Sequence, residues 1–210
     1  MKAVWYFDVV SPFSYLALNE VERLGRESLR IDMKPVLFAA MLNHWGQRGP
    51  AEVGPKRTHT YRMCVWQARE KGIDFRFPPA HPFNPLFMLR VLTALGGEKD
   101  AVRCVFDLIW REGRDPSAPD TLATLRERLG VGDLDDLIER TDAKIRLRDA
   151  TQEAIAAHVF GVPTLVFGGQ QFWGADAMPL ACAFLANPRL FDDDELRRVE
   201  NLPIGIDRRK

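Results

Sequence analysis

Three short stretches of this chain carry residue types suited to chemistry. The first is Ser11-Pro12-Phe13-Ser14, which follows the aromatic and β-branched run Val4-Trp5-Tyr6-Phe7 through Asp8-Val9-Val10. The run has the composition of a strand. Phe13, Leu16, Ala17, Val21 and Leu24 then recur at helical spacing, with serine and proline as a start signal and Gly25 as a predicted stop. Ser11 therefore falls at the amino end of a helix that directly follows a strand. Unpaired backbone N–H groups and the helix dipole favour negative charge there. Its hydroxyl either caps the helix or donates to an anion held at that end. The second stretch is Val162-Pro163, a proline opening what reads as a buried strand, and the third is Gly174-Ala175-Asp176, just past Phe172-Trp173.

These residues need elements to position them. Leu29, Ile31 and Met33 alternate with Arg30, Asp32 and Lys34, a half-buried second strand ended by Pro35. The opening is thus β-α-β, with a right-handed crossover. The pattern then turns helical. Helices are predicted over 38–45, 56–71, 86–95, 101–111, 121–129, 134–141 and 143–158, with a Gly/Pro-rich loop over 46–55. Residues 73–77 read as an extended connector outside the sheet, and Asn84 stands where it can cap the next helix. Strand chemistry returns over 162–167 and turns at Gly168-Gly169 into 170–173, a hairpin signal. A helix over 178–185 and a short one near Asp194 follow, then a polar, basic tail expected to fray. The acidic run Asp192-Asp193-Asp194-Glu195 reads as charge at a helix start rather than a metal site.

Composition narrows the function. The chain has 210 residues, 46% hydrophobic, with 29 basic and 29 acidic residues, so no basic excess points to nucleic acid. No apolar run approaches membrane-spanning length, and the amino terminus enters the first strand without a signal peptide. Cys64, Cys104 and Cys182 lie far apart in apolar helical patterns and read as buried free thiols of a cytoplasmic protein.

The order β-α-β, helical block, β-β-α resembles a thioredoxin-like fold interrupted by a helical insertion. The expected α/β organisation is a thioredoxin-like domain of residues 1–37 and 158–210, with 38–157 inserted. In such folds the tetrad at the first helix is Cys-Pro-x-Cys. Here both cysteine positions, Ser11 and Ser14, are serine, so the site cannot exchange disulfides but can hold an external thiolate. The resemblance also implies a cis Pro163 facing the helix start, with Val162 offering its backbone to an extended thiol peptide.

Ser11-Pro12-Phe13-Ser14-Tyr15-Leu16-Ala17, Trp110-Arg111-Glu112-Gly113-Arg114-Asp115, Phe160-Gly161-Val162-Pro163-Thr164 and Phe172-Trp173-Gly174-Ala175-Asp176, in that order, resemble the 2-hydroxychromene-2-carboxylate isomerase family. That family is close to kappa-class glutathione transferases. The resemblance implies a glutathione-dependent isomerase of aromatic breakdown that acts on a bicyclic hydroxy acid, usually as a homodimer. It implies that Ser11 contacts the glutathione sulfur, beside Pro12 and Phe13, and that Val162, next to Pro163, pairs with the cysteinyl backbone. It further implies that Asp176, next to Ala175, holds the γ-glutamyl ammonium, and that Gln47 and Lys56 touch the tripeptide. Gln47 stands where asparagine is usual, and Ala177 where an arginine commonly follows the aspartate. Taken without the resemblance, Asp176 reads equally as a helix cap and Lys56 as a solvated helix-start lysine.

A thiol with a pKa of roughly 8.5 is only a few per cent ionised near neutrality. A hydrogen bond from Ser11 to a charged sulfur is worth roughly 1.5–3 kcal/mol, enough to lower that pKa by one to two units. The sequence offers no base beside it, because His44, His59, His81 and His158 show no pairing pattern. Arg76, Arg90 and Arg114 are candidates to anchor a small aromatic carboxylate substrate. Two other readings stay open: a kappa-like glutathione transferase or thiol oxidoreductase, and a non-catalytic thioredoxin-like binding module.

Overall fold

Lys2–Phe7 (β1), Arg30–Pro35 (β2), Thr164–Phe167 (β3) and Gln170–Trp173 (β4) form one sheet in the computed structural model, which describes residues 1–206. The strand order is β2-β1-β3-β4. β1 and β2 are parallel, from Lys2 opposite Arg30 to Phe7 opposite Pro35. β3 is antiparallel to β1, from Ala3 opposite Phe167 to Tyr6 opposite Thr164, and antiparallel to β4. The turn between β3 and β4 uses φ values of 58° at Gly168 and 78° at Gly169. Two consecutive positive values match the twist of a tight hairpin, and glycine reaches them without a steric penalty.

Helix α1 (Pro12–Glu27) links β1 to its parallel neighbour β2. Seven helices then separate β2 from β3: α2 (Phe38–His44), α3 (Gly54–Glu70), α4 (Leu86–Ala94), α5 (Lys99–Phe106), α6 (Pro119–Leu129), α7 (Leu134–Arg140) and α8 (Ala143–Ala156). α9 (Met178–Ala186) and α10 (Asp194–Glu200) follow β4. This is the expected thioredoxin-like α/β arrangement around a helical block. No helix of the described residues is long and apolar enough to cross a membrane.

Strand alternation lets β1 serve both faces of the sheet. Trp5 and Phe7 enter the larger core, their rings 4.6 Å apart, with Phe106 behind them and Leu16, Val21 and Leu24 of α1 in the same cluster. Tyr6 faces the opposite cluster, with Val36, Met41, Ile155 and Val162.

Several boundaries differ from the sequence reading. Gly25 does not stop α1: only a positive φ would make it a terminator, and its φ is not positive, so the helix runs on to Glu27. α8 ends at Ala156, and His158 turns the chain with φ 60°. β3 begins at Thr164 rather than Val162. α5 continues into a π-helical turn over Asp107–Arg111. Residues 73–77 do stay outside the sheet, Asn84 Oδ1 accepts the Leu86 N–H at 3.1 Å, and Asp193 caps α10. The end of the basic tail, residues 207–210, lies outside the described residues.

Candidate active site

Ser11 is the N-cap of α1, with extended backbone (φ −87°, ψ 114°), and its Oγ accepts the Ser14 N–H at 3.3 Å. Its own N–H donates to the Asp8 carbonyl at 3.1 Å. The buried Ser11 O–H has no acceptor among the described residues.

The turn that carries Ser11 is held from several sides. Asp8 is fully buried beneath it; Oδ1 accepts the Val10 N–H and Oδ2 the Phe38 N–H, both at 2.9 Å. Burial pushes the Asp8 carboxyl up to about 7, against the pull of those two donors. The buried indole of Trp110 donates to the Val9 carbonyl at 2.8 Å. His81 Nε2 lies 2.8 Å from the Val10 carbonyl, while its Nδ1 lies 2.6 Å from the Tyr61 hydroxyl. Burial lowers the His81 pKa. The four histidines were expected to lack pairing; His81 is paired. Its partners sit 20 and 71 positions away, a separation that carries no periodic signal.

Ser11, Pro12 and Phe13 open onto a cleft of about 360 Å³, bounded on its other sides by Phe38 and Leu42, the loop around Gln47, Tyr61 with His81, and Val162. Val162 is buried, and its bond to Pro163 is cis, as expected; His81–Pro82 is also cis. Because β3 pairing starts at Thr164, the Val162 backbone stands outside the ladder.

Of the residues singled out from sequence, Ser11, Pro12, Phe13, Gln47 and Val162 share this cleft. Pro163 and Ala175 are buried beside it, and the Pro163 carbonyl accepts the Gly174 N–H at 2.8 Å, tying the Gly174–Asp176 turn to Val162. Asp176 is exposed on that turn, outside the cleft lining. It does not cap α9, whose N-cap is Ala177 with no side-chain bond. Lys56 is exposed in the first turn of α3, also outside the lining. Arg76, Arg90 and Arg114 do not line the cleft. Arg114 is engaged by Glu112 and Thr124, the Arg76 stem lies over Gly113, and Arg90 is partly buried. The arginine that does reach the cleft is Arg48, an exposed neighbour of Gln47.

None of the three cysteines lines the cleft. All three were expected to be buried, but only Cys64 is; burial pushes its thiol up to about 12, and the half-buried Cys104 and Cys182 are also raised, first by loss of solvent. The site therefore combines a hydroxyl without an acceptor at a helix start, backbone at Val162 outside the strand ladder and apolar walls, with no sulfur of its own.

Residues 3–186 match the DSBA-like thioredoxin domain family. The 2-hydroxychromene-2-carboxylate isomerase of Pseudomonas putida is 31% identical over 182 residues, 83% of this chain and 89% of that protein. Glutathione S-transferase kappa 2 of Caenorhabditis elegans is 27% identical over 205 residues, 88% of this chain and 91% of that protein. A solved structure of 2-hydroxychromene-2-carboxylate isomerase superposes with a TM-score of 0.79 at 27% identity, covering 92% of this chain and 98% of that one. The chain belongs to the DsbA-like thioredoxin domain family and, within it, to the family of the 2-hydroxychromene-2-carboxylate isomerases.

Proposed function

We propose that the protein is a glutathione-dependent isomerase that converts 2-hydroxychromene-2-carboxylate, or a close aromatic analogue, into trans-o-hydroxybenzylidenepyruvate. The observation that carries this reading is the unclaimed Ser11 hydroxyl proton at the start of α1, in a cleft with no protein thiol. Bound glutathione would supply a thiolate that adds reversibly to the conjugated double bond and so frees it to rotate. The chain's own residues do the rest. Ser11 donates to the sulfur and, with the amino end of α1, favours its charged form. Val162 offers backbone N–H and C=O outside the ladder to the cysteinyl segment. Phe13, Phe38, Leu42 and Phe83 give the aromatic ring a dry wall, and Arg48 is the cation available to a carboxylate at the mouth. Asp176, Lys56 and Gln47 would reach the tripeptide's outer ends.

This reading also takes residues 1–37 and 158–210 as the thiol-binding domain and 38–157 as the insertion that covers it. A homodimer and a cytoplasmic setting, where glutathione keeps thiols reduced, belong to the same proposal. The test is a glutathione titration followed by ultraviolet thiolate absorbance, then turnover of 2-hydroxychromene-2-carboxylate with and without the thiol. Saturable binding and thiol-dependent isomerisation are expected; turnover independent of added thiol would falsify the reading. A kappa-like transferase, favoured by the likeness to the worm protein, would instead release a product that keeps the sulfur.

A further inference from the structure

Val10 precedes Ser11, and the peptide group joining them is planar, so its C=O and the Ser11 N–H point in opposite directions from one rigid plate. Both ends of that plate are bonded. The Val10 carbonyl meets His81 Nε2 at 2.8 Å, and the Ser11 N–H donates to the Asp8 carbonyl at 3.1 Å. With both ends held, the plate cannot turn about the chain axis without losing a buried hydrogen bond.

His81 is itself held. A carbonyl only accepts, so the Nε2 that faces Val10 carries the proton, and a neutral imidazole then presents Nδ1 as an acceptor. Tyr61 Oη stands 2.6 Å from that nitrogen and 2.8 Å from the His81 carbonyl, so its single O–H is shared between two acceptors of the same residue. Burial, which lowers the His81 pKa, favours this neutral form. The ring packs edge-on against Phe77 and Trp110, with centroids 5.9 and 5.4 Å away. Tyr61 belongs to α3 and His81 to the segment between α3 and α4, so the helical block reaches across to the end of β1.

We propose that His81, backed by Tyr61, is a positioning residue: it pins the Val10–Ser11 peptide plane and so aims the Ser11 hydroxyl at the reacting sulfur. The catalytic part of this inference rests on the thiol chemistry proposed above, whereas the pinning is measurable without any ligand. Three variants separate the contributions. His81→Ala removes the donor, His81→Gln keeps an N–H that can reach the Val10 carbonyl, and Tyr61→Phe leaves the imidazole but removes its partner.

Amide hydrogen exchange at Ser11 in the ligand-free protein reads the pinning, and the pH titration of bound glutathione with kcat and KM reads its effect on chemistry. His81→Ala is expected to speed Ser11 exchange about tenfold or more. The bound thiol's pKa should rise by about half to one unit, with kcat near neutrality falling roughly three- to tenfold and KM for the aromatic acid shifting about twofold at most. His81→Gln should recover most of the loss, and Tyr61→Phe should lie between. If His81→Ala does not fold, His81→Gln against Tyr61→Phe carries the test, with greater loss expected in Tyr61→Phe. A folded His81→Ala with parental Ser11 exchange and thiol titration overturns the proposal, as does a folded His81→Gln no better than His81→Ala. A parent protein that binds no glutathione overturns the thiol reading and His81's part in it, while Ser11 exchange still decides the pinning.

Discussion

The two sides of the cleft are built differently. On the Asp8–Ser11 side, four successive backbone groups are engaged: the Val9 carbonyl by Trp110, the Val10 N–H by Asp8, the Val10 carbonyl by His81 and the Ser11 N–H by the Asp8 carbonyl. On the Gln47–Glu52 side, Gln47, Arg48 and Glu52 are exposed; Arg48 Nη2 donates to the Glu52 carbonyl at 3.0 Å, and its Nε stands 3.9 Å from the Glu52 carboxylate. A surface pair of that kind is worth about 0–1 kcal/mol. The contrast teaches that the group needing a fixed direction sits on the buried turn. On the proposed reading, the groups that would choose among ligands sit where change is cheap.

Ser11→Ala tests the buried side hardest. It removes the hydroxyl at the helix start, with the cap it gives the Ser14 N–H, and leaves every backbone–backbone bond of the turn, so the fold should survive a loss of about 0.5–2 kcal/mol. Turnover near neutral pH should fall about ten- to a hundredfold, with partial recovery at higher pH where the thiol ionises unaided. An unchanged pH–rate profile in a folded variant would make Ser11 a cap and nothing more.

Asp8→Asn comes next. The buried carboxyl titrates at about 7, above the roughly 3.9 of an unfolded chain. A raised carboxyl pKa means stability that is whole below about pH 4 and lost as pH rises to about 7, at about 1.4 kcal/mol per unit across that window. The amide keeps one acceptor and orphans one N–H, a cost of about 1–3 kcal/mol. Urea unfolding should therefore show the variant at its greatest disadvantage at pH 5 and closer to the parent at pH 7. A gap that is constant with pH would show that Asp8 does not titrate in this range.

Arg48→Ala probes the exposed side. KM for the aromatic acid should rise several-fold at unchanged kcat, with stability within about 0.5 kcal/mol of the parent. A drop in kcat of the size expected for Ser11→Ala would erase the distinction between the two sides. The smallest effect belongs to replacing Cys64, Cys104 and Cys182 by alanine: with saturating glutathione, a folded variant should turn over within about twofold of the parent. A tenfold loss would place the nucleophile in the protein and move the chemistry off this cleft.

Local pattern made the strand–helix opening, the Gly168-Gly169 hairpin and the element order legible, because each is written in residues close together in the chain. Ser11 and Val162 could be singled out for the same reason: each stands at an element boundary. Asp8 reads as an ordinary turn residue, since an aspartate after a strand looks the same whether it faces water or accepts a distant Phe38 N–H. His81 was illegible for a related reason, its partners being set by how α3 packs against the end of β1. The sequence offers Arg76, Arg90 and Arg114 as carboxylate anchors without a signal of direction, and Arg48 lies in a loop where spacing says just as little about direction. Gly25 misled because glycine ends a helix only through a positive φ, and residue type alone does not report φ.

Serine at both positions of the tetrad has a consequence for durability. Resident thiolates are progressively oxidised by peroxide, and beyond the sulfenic stage the damage is mostly permanent. Ser11 and Ser14 offer no sulfur to that chemistry, and the chain's three thiols lie away from the cleft, Cys64 in the core. On the proposed reading the vulnerable atom is a solute, discarded when spoiled and replaced from solution. Oxidative stress would then slow this protein by draining its thiol supply, and restoring that supply would restore the rate without new synthesis of the chain.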